Sequence, residues 1–267
     1  MTAYDFEATF REFRDAAWVS TATRARRQRW LDVRDEAHAR WARTLARRAR
    51  NLPYVSAVLD SLMPYADTEE NLSLGRWRHP SSTLTLDLRA WFAHESWASA
   101  EDWPLAAWSI VQLIERSLLC PERLAELCER FGRGIAAKGI QSSLLSPILN
   151  ALVPERFNVV NAASLAALRA FTGVPWSPRI ETYPKANAAV AAFVRDHRAA
   201  LDPLCADGYH RGDVFDMFAR WFVSRAPEVL AEPWELTKMP ASEGRLACWK
   251  VAPGDHTQRW FKCLADE

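Results

Sequence analysis

Phe6, Phe10, Phe13 and Ala17 recur at helical spacing, which predicts an amphipathic helix over residues 4–19. Trp30, Val33, Ala37, Trp41 and Leu45 then form one apolar stripe, with arginine on the other faces. That pattern predicts a single long helix over 21–50, ended by Asn51-Leu52-Pro53. A short helix over 54–63 closes at Pro64. Residues 65–85 are polar and turn-rich, with Gly75, His79-Pro80 and Ser81-Ser82, and predict a loop. Thr83 to Leu88 alternates as a strand does, yet Asp87 is equally a cap for a helix through Trp91-Phe92, so both assignments stay open.

Further along, Trp103-Pro104 opens a helix with Trp108, Val111 and Leu118 on one side. Pro121 stands at a first helical position, before Leu124, Leu127, Cys128 and Phe131. Leu144, Leu145, Ile148, Leu149 and Leu152 share one face of another helix, whose Pro147 fits either its first turn or a kink. Helices over 164–171, 186–201 and 213–223 follow, with a proline-rich connection at 173–184. Residues 227–244 carry Pro227, Pro233 and Pro240 and little periodicity, and predict a linker. Leu246 to Val251 then reads as a strand and His256 to Leu264 as a short helix, too little to bury a core. The fold expected is mainly α: a multi-helix globular domain over 1–226, the linker over 227–244, and over 245–267 the strand–helix start of an incomplete α/β domain.

Composition agrees. Nine glycines in 267 residues, with abundant Ala, Leu and Arg, favour helices. Thirteen tryptophans supply large aromatic surfaces for burial or stacking. Five cysteines (Cys120, Cys128, Cys205, Cys248, Cys263) are scattered without a C-x-x-C and read as reduced thiols, which with no signal peptide implies a cytoplasmic protein. No apolar run reaches the roughly 18 residues that cross a bilayer, so no membrane partner is expected.

Charge changes the picture more. The net charge of +1 hides a segment, 21–50, that carries ten arginines against Asp32, Asp35 and Glu36. Arg24, Arg26, Arg27, Arg29, Arg47, Arg48 and Arg50 could track a phosphate backbone, or could be a solvated face whose stems shield Trp30 and Trp41. Catalytic motifs fail on spacing. Gly134 to Gly139 puts Lys138 before its second glycine, not after it as a phosphate loop requires. The six histidines lack H-E-x-x-H, and there is no G-x-S-x-G, so neither a metal nor a cofactor is expected. Asp213 and Asp216 read as a helix cap and a first-turn acid. Lys138, Gln141, Ser142 and Ser143 open an apolar helix that ends in Pro154-Glu155-Arg156-Phe157, an outline similar to that of helix-hairpin-helix DNA glycosylases. Asn161 stands where such enzymes place a carboxylate, and an amide is no general base.

Taken in order, Lys138-Gly-Ile-Gln141, Leu145-Ser-Pro-Ile-Leu-Asn-Ala-Leu152, Pro154-Glu-Arg-Phe157 with Val160-Asn161, Tyr183-Pro-Lys-Ala-Asn187 and Asp213-Val-Phe-Asp-Met-Phe218 with Trp221 resemble the N-terminal region of McrB-like AAA+ proteins of modification-dependent restriction and phage defence. Trp249-Lys-Val-Ala-Pro-Gly254 with Trp260 resembles the opening of an EVE domain, a PUA-like module. The resemblance covers roughly residues 70–267. It implies an N-terminal DNA-recognition or regulatory module, not itself catalytic. The parent protein would be an AAA+ NTPase, with a downstream AAA+ domain and a nuclease subunit as partners. It also implies a modified-base pocket of which Trp249 and Trp260 are a part. The expected DNA contacts are the seven arginines above with Lys138, Gln141, Ser142, Ser143, Arg156 and Asn161. The rival expectations are a protein-interaction or assembly module that senses a phage or host protein through a Trp-rich surface, and a glycosylase-like fold without a working carboxylate.

Overall fold

The computed structural model describes residues 4–47, 54, 57, 58, 61, 69–74, 102–134, 140–206 and 208–231. Its elements, in chain order, begin with α1 (Phe6–Glu12), a π-helical segment (Phe13–Trp18), α2 (Thr21–Ala46) and α3 (Glu69–Ser73). Then come α4 (Asp102–Leu119), α5 (Leu124–Gly132), α6 (Ser142–Leu152), α7 (Ala162–Thr172) and α8 (Tyr183–Asp196). The series ends with α9 (Arg198–Leu201), α10 (Arg211–Arg225) and α11 (Glu228–Ala231). No strand occurs among the described residues, so the body is mainly α.

Several boundaries differ from the pattern. The helix expected over 4–19 winds as π from Phe13, which turns both Phe13 and Trp18 inward. The expected loop 65–85 contains α3. Pro121–Arg123 forms a 3-10 turn before α5. Pro147 lies in the second turn of α6 with the helix continuing through it. The helix expected from Ala186 starts at Tyr183 and breaks at His197. The helical body also runs on past Pro227 into α11, whose Val229 is buried. The expected strand or helix over 83–92 and the strand–helix piece of 245–267 lie outside the described residues.

Two apolar clusters make the interior. One gathers Ile110 and Ile114 of α4, Leu127 and Phe131 of α5 and Leu145 and Leu149 of α6 around Trp41, Phe157 and Tyr183. The other is aromatic, with Phe218 of α10 at its centre. Phe6, Phe10, Phe13, Phe171, Phe215 and Phe222 lie within 5.3–6.4 Å of the Phe218 ring, mostly edge-on or tilted. Helix α2, about 39 Å long at helical rise, sends Trp30 into the aromatic cluster and Trp41 into the other. It packs along α6, while α7 packs along α10.

Phe218 is fully buried and touches rings from four elements. Phe218→Ala should cost about 3–5 kcal/mol in urea denaturation, the range for emptying an aromatic site that cannot collapse.

Candidate functional site

Between the two clusters runs a polar seam, and it contains most of the residues that look chemically interesting. After α6 the chain turns at Pro154 and crosses the interior from Arg156 to Asn161 with no sheet to receive its backbone groups. Side chains receive them instead. Asn150 Nδ2 donates to Phe157 O at 2.9 Å, and Asn187 Nδ2 to Arg156 O at 3.2 Å. Asn187 Oδ1 accepts from Asn158 N at 2.7 Å, and Tyr183 Oη donates to Asn158 O at 3.3 Å. Ser146 Oγ accepts from Val160 N at 2.8 Å and donates to Val160 O at 3.2 Å. Asn161 caps α7 in a reciprocal box with Ser164.

Helix α10 closes the seam. Gly212 lets it approach, because a Cβ there would sit 2.2 Å from Asn158 Oδ1. Asp213 and Asp216 are 0% and 1% exposed. Their expected role as cap and first-turn acid is corrected here. His210 is the N-cap, Asp213 is the third helical residue, and both acids face inward. Asp213 Oδ2 accepts from Arg34 Nη1 at 2.7 Å and from His210 N at 2.8 Å, and Asn150 Nδ2 lies 3.3 Å from Oδ1. Asp216 accepts from Asn161 Nδ2 at 2.7 Å and from Arg220 Nε at 2.8 Å. Burial is the largest influence on Asp213 and raises its pKa, against the His210 amide, Arg34 and Asn150, which lower it.

The sequence-derived DNA contacts are not brought together. Arg27 is buried, stacks 3.8 Å over Trp18 and donates to Trp18 O at 2.6 Å, so it clamps α2 to the π-helical segment. Ser142 is buried and donates to Arg179 O at 3.1 Å. Gln141 Oε1 accepts from Ile180 N at 2.8 Å. Asn161 is buried in the seam. Arg29 and Ser143 are half-buried, whereas Arg24, Arg47 and Arg156 are exposed. Arg48, Arg50, Lys138, Trp249, Trp260 and the side chain of Arg26 lie outside the described residues. Arg43 was not singled out by the sequence and is also exposed. Among the described residues neither Arg24, Arg43 nor Arg47 makes an ion pair, whereas Arg34 is spent on Asp213 and Arg40 on Glu36.

Chemically, the seam is a poor reaction centre. Each carboxylate already faces an arginine and an amide. No group of three or more metal-ligating side chains occurs among the described residues. Burial pushes the Cys128 thiol up to about 12, far from a reactive thiolate. A shallow apolar cleft lies elsewhere, lined by Leu165, Arg169, Trp176 and Val229 among others. No described helix is long and apolar enough to cross a membrane. Comparison of the chain with protein-family models, with curated proteins and with solved structures returned no match.

Asp213→Ala should destabilise the fold by about 1–3 kcal/mol, because it takes one shared acceptor from Arg34, the His210 amide and Asn150. The pH dependence has a definite sign. The folded carboxyl binds its proton more tightly than the unfolded one, so its ionisation costs stability and acidification through the raised pKa relieves that cost. Between about pH 7 and about pH 4, the stability difference between wild type and Asp213→Asn should move in favour of the wild type in paired urea melts. A difference that stays constant would contradict the direction assigned to Asp213.

Proposed function

We propose that this chain is a helical N-terminal DNA-recognition or regulatory module of a McrB-like defence protein, and is not itself catalytic. The observation that carries the DNA reading is the set Arg24 and Arg43 on α2 and Arg47 just past its end, exposed and without an ion pair among the described residues. Unneutralised guanidinium groups on a rigid helix attract phosphates at low cost. Of the contacts expected from the sequence, this reading keeps the exposed Arg24, Arg47 and Arg156, adds Arg43, and leaves out Gln141 and Ser142, whose side chains bond to Ile180 N and Arg179 O. Such contacts position a duplex without reading its sequence. Discrimination of modified bases would fall to the region of Trp249 and Trp260, and the AAA+ domain and nuclease subunit would be partners beyond this chain.

The tryptophans weigh against the protein-interaction rival in its Trp-surface form, since every tryptophan whose side chain is described is buried or half-buried. A narrower form is favoured by Leu105 and Leu119, 62% and 74% exposed on one side of α4.

The test is salt-dependent binding of methylated and unmethylated duplexes to the full chain. Binding should be measurable at low salt and weaken steeply as salt rises. Arg43→Glu/Arg47→Glu should weaken it on every sequence and reduce the salt slope by about two. No binding at low salt, or binding indifferent to salt, would overturn the DNA reading.

A further inference from the structure

The outer face of α2 has a charge order that the DNA reading does not use. Opposite the buried Trp30, Val33, Ala37 and Trp41, and C-terminal to the exposed Arg24, the exposed charged positions run acidic first and basic second: Asp32, Asp35 and Glu36, then Arg43 and, one residue past the end of α2, Arg47. Between and beside them stand Ala39, Ala42 and Ala46, which leave the helix without bulk along that line. The acidic and basic centres are about 16 Å apart at helical rise.

We propose that α2 pairs antiparallel with α2 of a second copy of this chain, about a two-fold axis near Ala39. The register follows from position alone. An axis there sets Asp32 against Arg47 of the second copy and Glu36 against its Arg43. Symmetry repeats both pairs, as a self-complementary interface requires. Parallel pairing would set acid on acid and base on base, so charge selects the orientation as flanking charges do in coiled coils. The alanines let the two backbones approach. The local competitors among the described residues are weak: Asp32 accepts an amide hydrogen bond from Gln28 at 3.0 Å, and Glu36 pairs with Arg40 at 3.2 Å on the exposed surface. A single helix pair stays below the roughly 1,200 Å² of a standard interface, so the dimer is weak, concentration-dependent and salt-sensitive. Arg43 and Arg47 serve in both proposals. A duplex and a second copy therefore compete for α2, and the pairing is measured without DNA.

The test is sedimentation equilibrium of the full chain at low and high salt, with two surface variants. Asp32→Arg/Glu36→Arg makes all four paired positions basic, and Arg43→Glu/Arg47→Glu makes all four acidic. Wild type should dimerise at low salt and dissociate at high salt. Each variant alone should be monomeric, with circular dichroism confirming an intact fold. An equimolar mixture of the two should dimerise again, because every pair is restored with its sign inverted. A wild type that stays monomeric at high protein concentration would overturn the proposal, as would a variant that still self-associates or a mixture that does not. These outcomes leave the DNA result untouched.

Discussion

From Arg156 to Asn161 the chain crosses the interior without a helix or a sheet to take up its amides and carbonyls. A buried backbone group left unpaired costs about 1–3 kcal/mol, so such a crossing exists only if other groups are aimed at it. Here Ser146 and Asn150 on α6, Ser164 on α7, and Tyr183 and Asn187 on α8 are so aimed. Three helices are thereby held in register around six residues. The fourth, α10, is held because Gly212 admits Asn158 and because Asp213 and Asp216 receive the amides of Asn150 and Asn161.

The placement of α2 depends on this seam. Arg34 reaches from α2 to Asp213 and to Gly208 O, 3.2 Å away, so a carboxylate fixed by the seam fixes the helix. Arg27 does the same at the other end by stacking on Trp18. Helix α2 therefore uses its arginines in two ways. Those on the inner side stack on indoles and neutralise an acid, where a planar guanidinium can do both at once. Those on the outer side, Arg24, Arg43 and Arg47, are exposed and make no ion pair among the described residues. The separation lets one very basic helix be a structural beam and a surface at the same time.

The same seam explains why motif-like residues need not signal catalysis. The Asn161 side chain is committed to the α7 cap and to Asp216. Ser146, Asn150, Asn161, Tyr183, Asn187, Asp213 and Asp216, all within motifs quoted from the sequence, bond to one another or to the same stretch of backbone. A network of this kind tolerates few replacements, because each loss strands a buried partner.

Much of the fold was legible in the sequence, because helix-forming stripes are local: the apolar positions of α2, α4, α6 and α10 recur every three to four residues whatever lies opposite. The exceptions share one cause. The π-helical winding after Phe13, the inward turn of Asp213 and the docking of α11 beyond Pro227 are all decided by partners far away in the chain. The candidate surface was legible only as a count of arginines. Periodicity shows that Arg27 and Arg34 share a helix with Arg43 and Arg47, but the side on which each falls depends on Trp18 and Asp213 being there to receive the first two. By itself the sequence determined the longer helices, though not α3 or α11, and that α2 is basic, since propensity and pattern act within a turn or two. Tertiary structure alone decided which charges are spent inside and which are left outside, because pairing a charge requires a partner and burial that only the folded chain supplies.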